Sequence, residues 1–121
     1  MANAALFVGW GNAVRGRERQ ALAVFGEAAE YYTRLQQEGE IESFEPIFLE
    51  PHGGDLAGFF LVRGEQDKLA RLRTDADFVR LNARAQLIVE GFGVVGAAVA
   101  AGIDEQMGYF QAAVEEFVPA Q

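Results

Sequence analysis

The chain has no cysteine, one histidine (His52), one serine (Ser43) and two threonines (Thr33 and Thr74) among its 121 residues. The missing cysteine excludes disulfides, thiolate metal ligands and a cysteine nucleophile. With a single histidine, a metal or haem site would rest on His52 and carboxylates, whereas zinc sites recruit three or four ligands, usually several of them His or Cys. No hydroxyl residue sits in a Gly-x-Ser-x-Gly turn, so nucleophilic catalysis has little to work with. Positive charge is also scarce: ten Lys and Arg face eighteen Asp and Glu, for a net charge of −8. That balance opposes binding to nucleic acid and to anionic membranes, where basic surface supplies most of the affinity. The longest nearly uncharged stretch, residues 91–103, is too short and too glycine-rich to span a bilayer. The start, MANAALFVGWG, has no basic region before its apolar run and reads as a strand rather than a signal peptide. These absences together lead to the expectation of a cytoplasmic protein with no metal and no cofactor.

Half of the residues are apolar, ten of them Phe, enough for a single folded domain over residues 1–121. Four short segments are apolar on both faces: Leu6–Trp10, Ile41–Leu49, Leu56–Val62 and Leu87–Val94. Between the first two, Ala21, Leu22, Phe25, Ala28, Ala29, Tyr32 and Leu35 recur at helical spacing, which predicts a helix over 17–38 ended by Gly39. Pro46 removes a backbone donor from the second strand and so suits a sheet edge. Pro51-His52-Gly53-Gly54-Asp55 reads as the connection of a hairpin. A second helical region from about Glu65 breaks at Thr74, an expected internal N-cap, and resumes from Asp75 to about Arg84, with Asp75 and Asp77 read as capping residues at its start. After an alanine- and glycine-rich linker over 96–102, Ile103, Met107, Phe110, Val114 and Phe117 mark a final amphipathic helix over 103–118.

The order β-α-β-β-α-β, with a core over 4–95, is the split βαβ arrangement: an α+β fold with a four-stranded antiparallel sheet and an extra C-terminal helix. Two helices cover one sheet face, and the other apolar face calls for a second copy, hence a sheet-to-sheet homodimer. The two-faced strands ALFVGW, FFLV and LIVEGFGVV, with the broken helix DKLARLRTDADFVRLNARAQ, resemble the dimeric α/β barrel superfamily of ferredoxin-like proteins. That resemblance implies a cavity between helices and sheet in each protomer. Its members include cofactor-free monooxygenases, haem-degrading enzymes, lactone isomerases and proteins without assigned activity. The catalytic residues of those enzymes do not map one by one onto this chain, so no catalytic role is carried over.

Gly91-Phe92-Gly93-Val94-Val95-Gly96 matches the dinucleotide fingerprint in letters. The acidic residue at the right distance, Glu115, falls in the last helix rather than at the end of a following strand, so the βαβ context is missing. Arg15, Arg17 and Arg19 crowd a helix N-terminus behind the Trp10-Gly11-Asn12 loop. Free backbone amides, Asn12, Arg15 and Arg17 there could hold a carboxylate or phosphate, or the arginines could project into solvent beside Glu18. Trp10 could stack on a ligand or serve as core. Arg63, Arg80 and Asn82 are weaker cavity candidates. His52, near Glu50 and Asp55, is a candidate acid–base residue in a loop. Glu90 interrupts an apolar strand, and a carboxylate buried in such a place is a candidate general base or one half of an ion pair.

The expected function is binding of a small molecule, mostly apolar with one anionic group, without a catalytic motif. The alternatives are a cofactor-independent monooxygenase or isomerase on an aromatic or lactone substrate, using Trp10, Asn12, His52 or Glu90, and a structural protein assembled through its final helix.

Overall fold

The computed structural model describes residues 2–118. Its elements are β1 (Ala4–Trp10), α1 (Glu18–Gln37), β2 (Ser43–Phe48), β3 (Gly58–Gly64), α2 (Gln66–Leu72), α3 (Ala76–Gln86), β4 (Gly93–Ala98) and α4 (Ala101–Phe117). The strands form one antiparallel sheet in the order β2-β3-β1-β4, the ferredoxin-like arrangement. Pro46 therefore lies on an edge strand, where its missing N–H costs no ladder bond on the open side.

Period-two alternation sorts the strand residues onto two faces, and cross-strand partners share a face. Leu6, Val8, Phe60 and Val62 point to the helices and pack with Tyr32, Leu35, Leu69 and Phe78, all buried. The opposite face carries Phe7, Phe59, Leu61, Ile47 and Val95. Phe7 and Phe59 stack there with ring centroids 4.6 Å apart. Among the described residues no helix covers that face, and Val95 is 57% exposed. At its β2 edge Arg63 pairs with Glu45 at 3.5 Å.

Several boundaries differ from the sequence reading. The fourth strand was expected over Leu87–Val94, but α3 runs on to Gln86 and β4 begins at Gly93. The chain between them turns at Gly91, whose φ of +62° suits glycine. The first three of the small residues expected as a linker, Gly96–Ala98, belong to β4, where Gly96 leaves room for the Arg73 guanidinium. Arg73 donates to the Val94 carbonyl there at 3.3 Å. At the α2–α3 break the cap is Asp75, not Thr74: its carboxylate accepts from the amides of Asp77 (2.9 Å) and Phe78 (3.4 Å). Thr74 instead donates its hydroxyl back to the Arg71 carbonyl at 2.9 Å. In α1 the buried stripe is Val24, Ala28, Tyr31, Tyr32 and Leu35, and Leu22 is 74% exposed.

β4 passes to α4 through Ala100, which holds φ +50° and ψ −126°. A Cβ is disfavoured in that region, by about 1–3 kcal/mol. Gly102 is buried against the start of β1, where any side chain would collide with the Asn3 carbonyl.

Candidate functional site: an aromatic cavity between helices and sheet

A cavity of about 640 Å³ opens between α1, α3 and the helix-facing side of the sheet. Its floor is Val8 and Phe60 from the sheet with Tyr32 and Ala28 from α1, all buried. Aromatic rings make much of the wall. Trp10 stands 5.3 Å from Phe60 and 6.0 Å, edge-on, from Phe25; Phe25 in turn stacks on Phe60 at 5.2 Å. Phe92 closes the side next to β4, and the exposed Leu22 and Phe48 form the rim. Such rings bind planar apolar molecules by burial, with a further preference for stacked or edge-on geometry.

Polar groups are few: the side chains of Asn12 and Asn82, and Glu18 at the rim. Glu18 is engaged locally, its carboxylate accepting from the Gly16 amide at 3.0 Å. Burial raises Tyr32 far above the ordinary phenol range, so its hydroxyl stays protonated. No Lys or Arg lines the cavity.

Asn12 is positioned by its backbone. Gly11 donates to the Glu90 carbonyl at 2.6 Å, Glu90 donates to the Asn12 carbonyl at 2.9 Å, and Val14 donates to Ile88 at 2.8 Å. Residues 11–14 thus run beside 88–90 as a short ladder, with an isolated bridge between Ala13 and Val89. Only glycine fits at 11, because a Cβ would lie 2.7 Å from the Glu90 carbonyl oxygen and 2.8 Å from that of Asp55. The same ladder explains Glu90. It stands ahead of β4 rather than inside a strand, and its side chain is exposed, so the burial that made it a candidate base is absent.

Trp10, Asn12 and Asn82 are therefore brought together at one cavity, and the remaining candidates lie elsewhere. Arg17 turns from the cavity and donates to the Leu87 carbonyl at 2.8 Å, at the C-terminal end of α3, where a cation suits the helix dipole. Arg15 is exposed and outside the lining, as is Arg19. His52 is exposed in the β2–β3 loop and donates its Nδ1–H to the Glu50 carbonyl at 2.9 Å. Arg80 pairs with Asp77 on the surface of α3. Among the described residues, no group of three or more His, Cys, Asp or Glu is placed to hold a metal ion. The same residues contain no helix long and apolar enough to cross a membrane.

Beside the cavity, Arg84 of α3 grips Glu27 of α1 through both guanidinium nitrogens. The neighbouring Tyr31 buries its hydroxyl without a partner. Burial, then the charges of Asp75 and Asp77, push its pKa up to about 12.

No family model matches this chain, and no curated protein does. Solved structures do. One is a dimeric protein of unknown function and ferredoxin-like fold from Bacteroides fragilis, 12% identical with a TM-score of 0.57; the match covers 79% of this chain and 96% of that one. Another is SnoaB, a cofactor-independent oxygenase from Streptomyces nogalater, 14% identical with a TM-score of 0.55, covering 82% and 95%. A mutant of the same oxygenase matches at 15% identity and the same TM-score. The likeness is one of fold. It agrees with the resemblance to ferredoxin-like dimers read from the strands.

Proposed function

We propose that this protein binds a small, uncharged, largely planar aromatic molecule in the cavity between α1, α3 and the sheet, and that it does so as a homodimer paired through the outer sheet face. The observation that carries the reading is the lining. Six aromatic side chains enclose the space, two carboxamides supply hydrogen bonds, and no cation is present to neutralise a bound anion. Burying an unpaired charge in such a wall is costly, so a neutral ligand is favoured over the anionic one expected from Arg15 and Arg17. Asn12 and Asn82 would then read a hydroxyl or carbonyl on the ligand rim.

Trp10 is the only tryptophan, so its fluorescence reports on this cavity alone. Titration with 2-naphthol should quench it saturably, and 2-naphthalenesulfonate should not. Asn12→Ala should weaken 2-naphthol by roughly 5- to 10-fold, the worth of one hydrogen bond of about 1–1.5 kcal/mol, and leave naphthalene unchanged. Quenching that never saturates, or equal binding of the sulfonate, would remove the proposal.

A second reading, a cofactor-independent oxygenase, is supported by the SnoaB fold match and by the place of Trp10 and Asn12 at the cavity. On that reading the amides of Asn12 and Asn82 would steady negative charge developing on an oxygen of the bound aromatic. Oxygen uptake by metal-free protein with an electron-rich phenol separates the two: uptake lost in Asn12→Ala favours the enzyme, and binding without uptake favours the carrier.

A further inference from the structure

Helix α4 stands apart from the rest of the chain. After the buried Gly102, every residue from Ile103 to Phe117 is exposed, including Phe110 at 64% and Phe117 at 80%. An isolated helix of this length is marginal in water, because nucleation costs more than so few turns return. The apolar residues Ile103, Met107, Phe110, Val114 and Phe117 follow one another in steps of four, three, four and three. That strict alternation makes the narrow seam by which one helix packs on another, rather than the broad stripe that lies on a sheet.

The charges indicate what the other helix is. α4 carries Asp104, Glu105, Glu115 and Glu116 and no basic residue. Such a helix repels its own copy unless the acids avoid the seam, and here they do. Gln106, Gln111 and Ala113, which flank the seam, are neutral, and Glu105, Glu115 and Glu116 lie on the sides or back. Only Asp104 approaches it, in the first turn, where the macrodipole favours an anion. A basic partner would call for acids along the flanks; a neutral, small-residue flank fits a second α4.

The matched structures supply an independent observation. They use 93% or more of their own length on about four-fifths of this chain, so roughly a fifth of it has no counterpart there. α4 and the residues after it are of that size, and the strands and helices α1–α3 complete the fold without them.

We propose that α4 is a self-association helix, docking antiparallel on α4 of a second copy with Phe110 at the two-fold axis and opposed macrodipoles. This contact is separate from the cavity and from the sheet face.

The absence of native cysteine makes the test clean. In the full chain, Phe110→Cys should form a disulfide-linked dimer under mild oxidation at least ten-fold faster than Ala112→Cys, which points the opposite way. The link at 110 should persist when Phe59→Glu is added on the outer sheet face. Met107→Glu with Phe110→Glu should lower the native mass while saturable quenching of Trp10 is retained. A thiol at 110 that links no faster than one at 112, a link lost with Phe59→Glu, or an unchanged mass in the double variant would overturn the proposal. Sedimentation of the wild type, but not the double variant, with zwitterionic vesicles would reassign the seam to lipid and overturn it as well.

Discussion

Gly11 and Asn12 show how the backbone of one cavity residue fixes the position of the next. The carboxamide reaches the cavity because its backbone is pinned to Glu90, and that pinning is possible only where residue 11 lacks a Cβ. Trp10 and Asn12 could be picked out from the sequence because a strand end followed by a glycine loop is where ligands gather. Phe92 was not, and Glu90 was misplaced for the same reason: the turn at Gly91 is a three-dimensional event that an apolar run hides. Tyr31 is a further residue that pattern alone cannot judge. Its hydroxyl is buried without a partner, so Tyr31→Phe should be neutral or stabilising by up to about 1 kcal/mol near pH 7. Its folded pKa of about 12 exceeds the ordinary value of 10.0. The native state therefore holds the proton more tightly, and the contribution of Tyr31 to stability is complete below pH 10 and is lost from pH 10 to 12. Urea unfolding across that range should show the decline in the wild type and a smaller one in Tyr31→Phe; parallel curves would show that Tyr31 ionises as freely in the native state as in the unfolded chain.

Among the elements, the strands and α1 were legible because alternation and the 3.6-residue period survive in the residue types that the core demands. Their ends were less so. α3 overran its expected stop at Arg84 because nothing in Ala85-Gln86 breaks a helix, and the strand that followed was displaced toward small residues mistaken for a linker. The break before α3 was foreseen; of the residues read as capping it, Asp75 is the N-cap and Thr74 is not. Asp75 accepts two amides there, so Asp75→Ala should cost about 1 kcal/mol in thermal or urea unfolding. Thr74→Ala should cost less, since Thr74 bonds only back to α2. Equal losses in the two variants would return the cap to Thr74. The rim of the cavity escaped the pattern for a physical reason: Leu22 keeps helical spacing but lies where α1 passes the edge of its support, so the stripe continues in sequence after the packing has ended.

For the molecule as a whole, four two-faced strands and two helical regions imply an uncovered sheet face, and the register puts Phe7, Phe59, Leu61 and Val95 on it. Such a surface suits an isologous interface between two copies. Phe59→Glu should therefore reduce the native mass by half at low micromolar concentration while the far-ultraviolet circular dichroism is kept; an unchanged mass would remove the sheet pairing from the proposal. The candidate site was less legible than the fold, because the arginines read as an anion site lie on a helix end and in solvent, outside the cavity.

Arg84 and Glu27 tie α3 to α1 beside the cavity, yet both side chains are about half exposed. A solvent-exposed ion pair of that kind holds weakly and loosens further as salt screens it. A neutral ligand has no Coulomb interaction of its own to be screened, so ionic strength acts on the latch and not on the guest. Stopped-flow quenching of Trp10 should show association and dissociation both quickening between low and high sodium chloride, with their ratio nearly constant; rates that do not change with salt would remove the latch. Glu27→Gln should be fast at every salt concentration. The molecule would then be a timer as much as a container, with the surrounding electrolyte setting how long a guest stays.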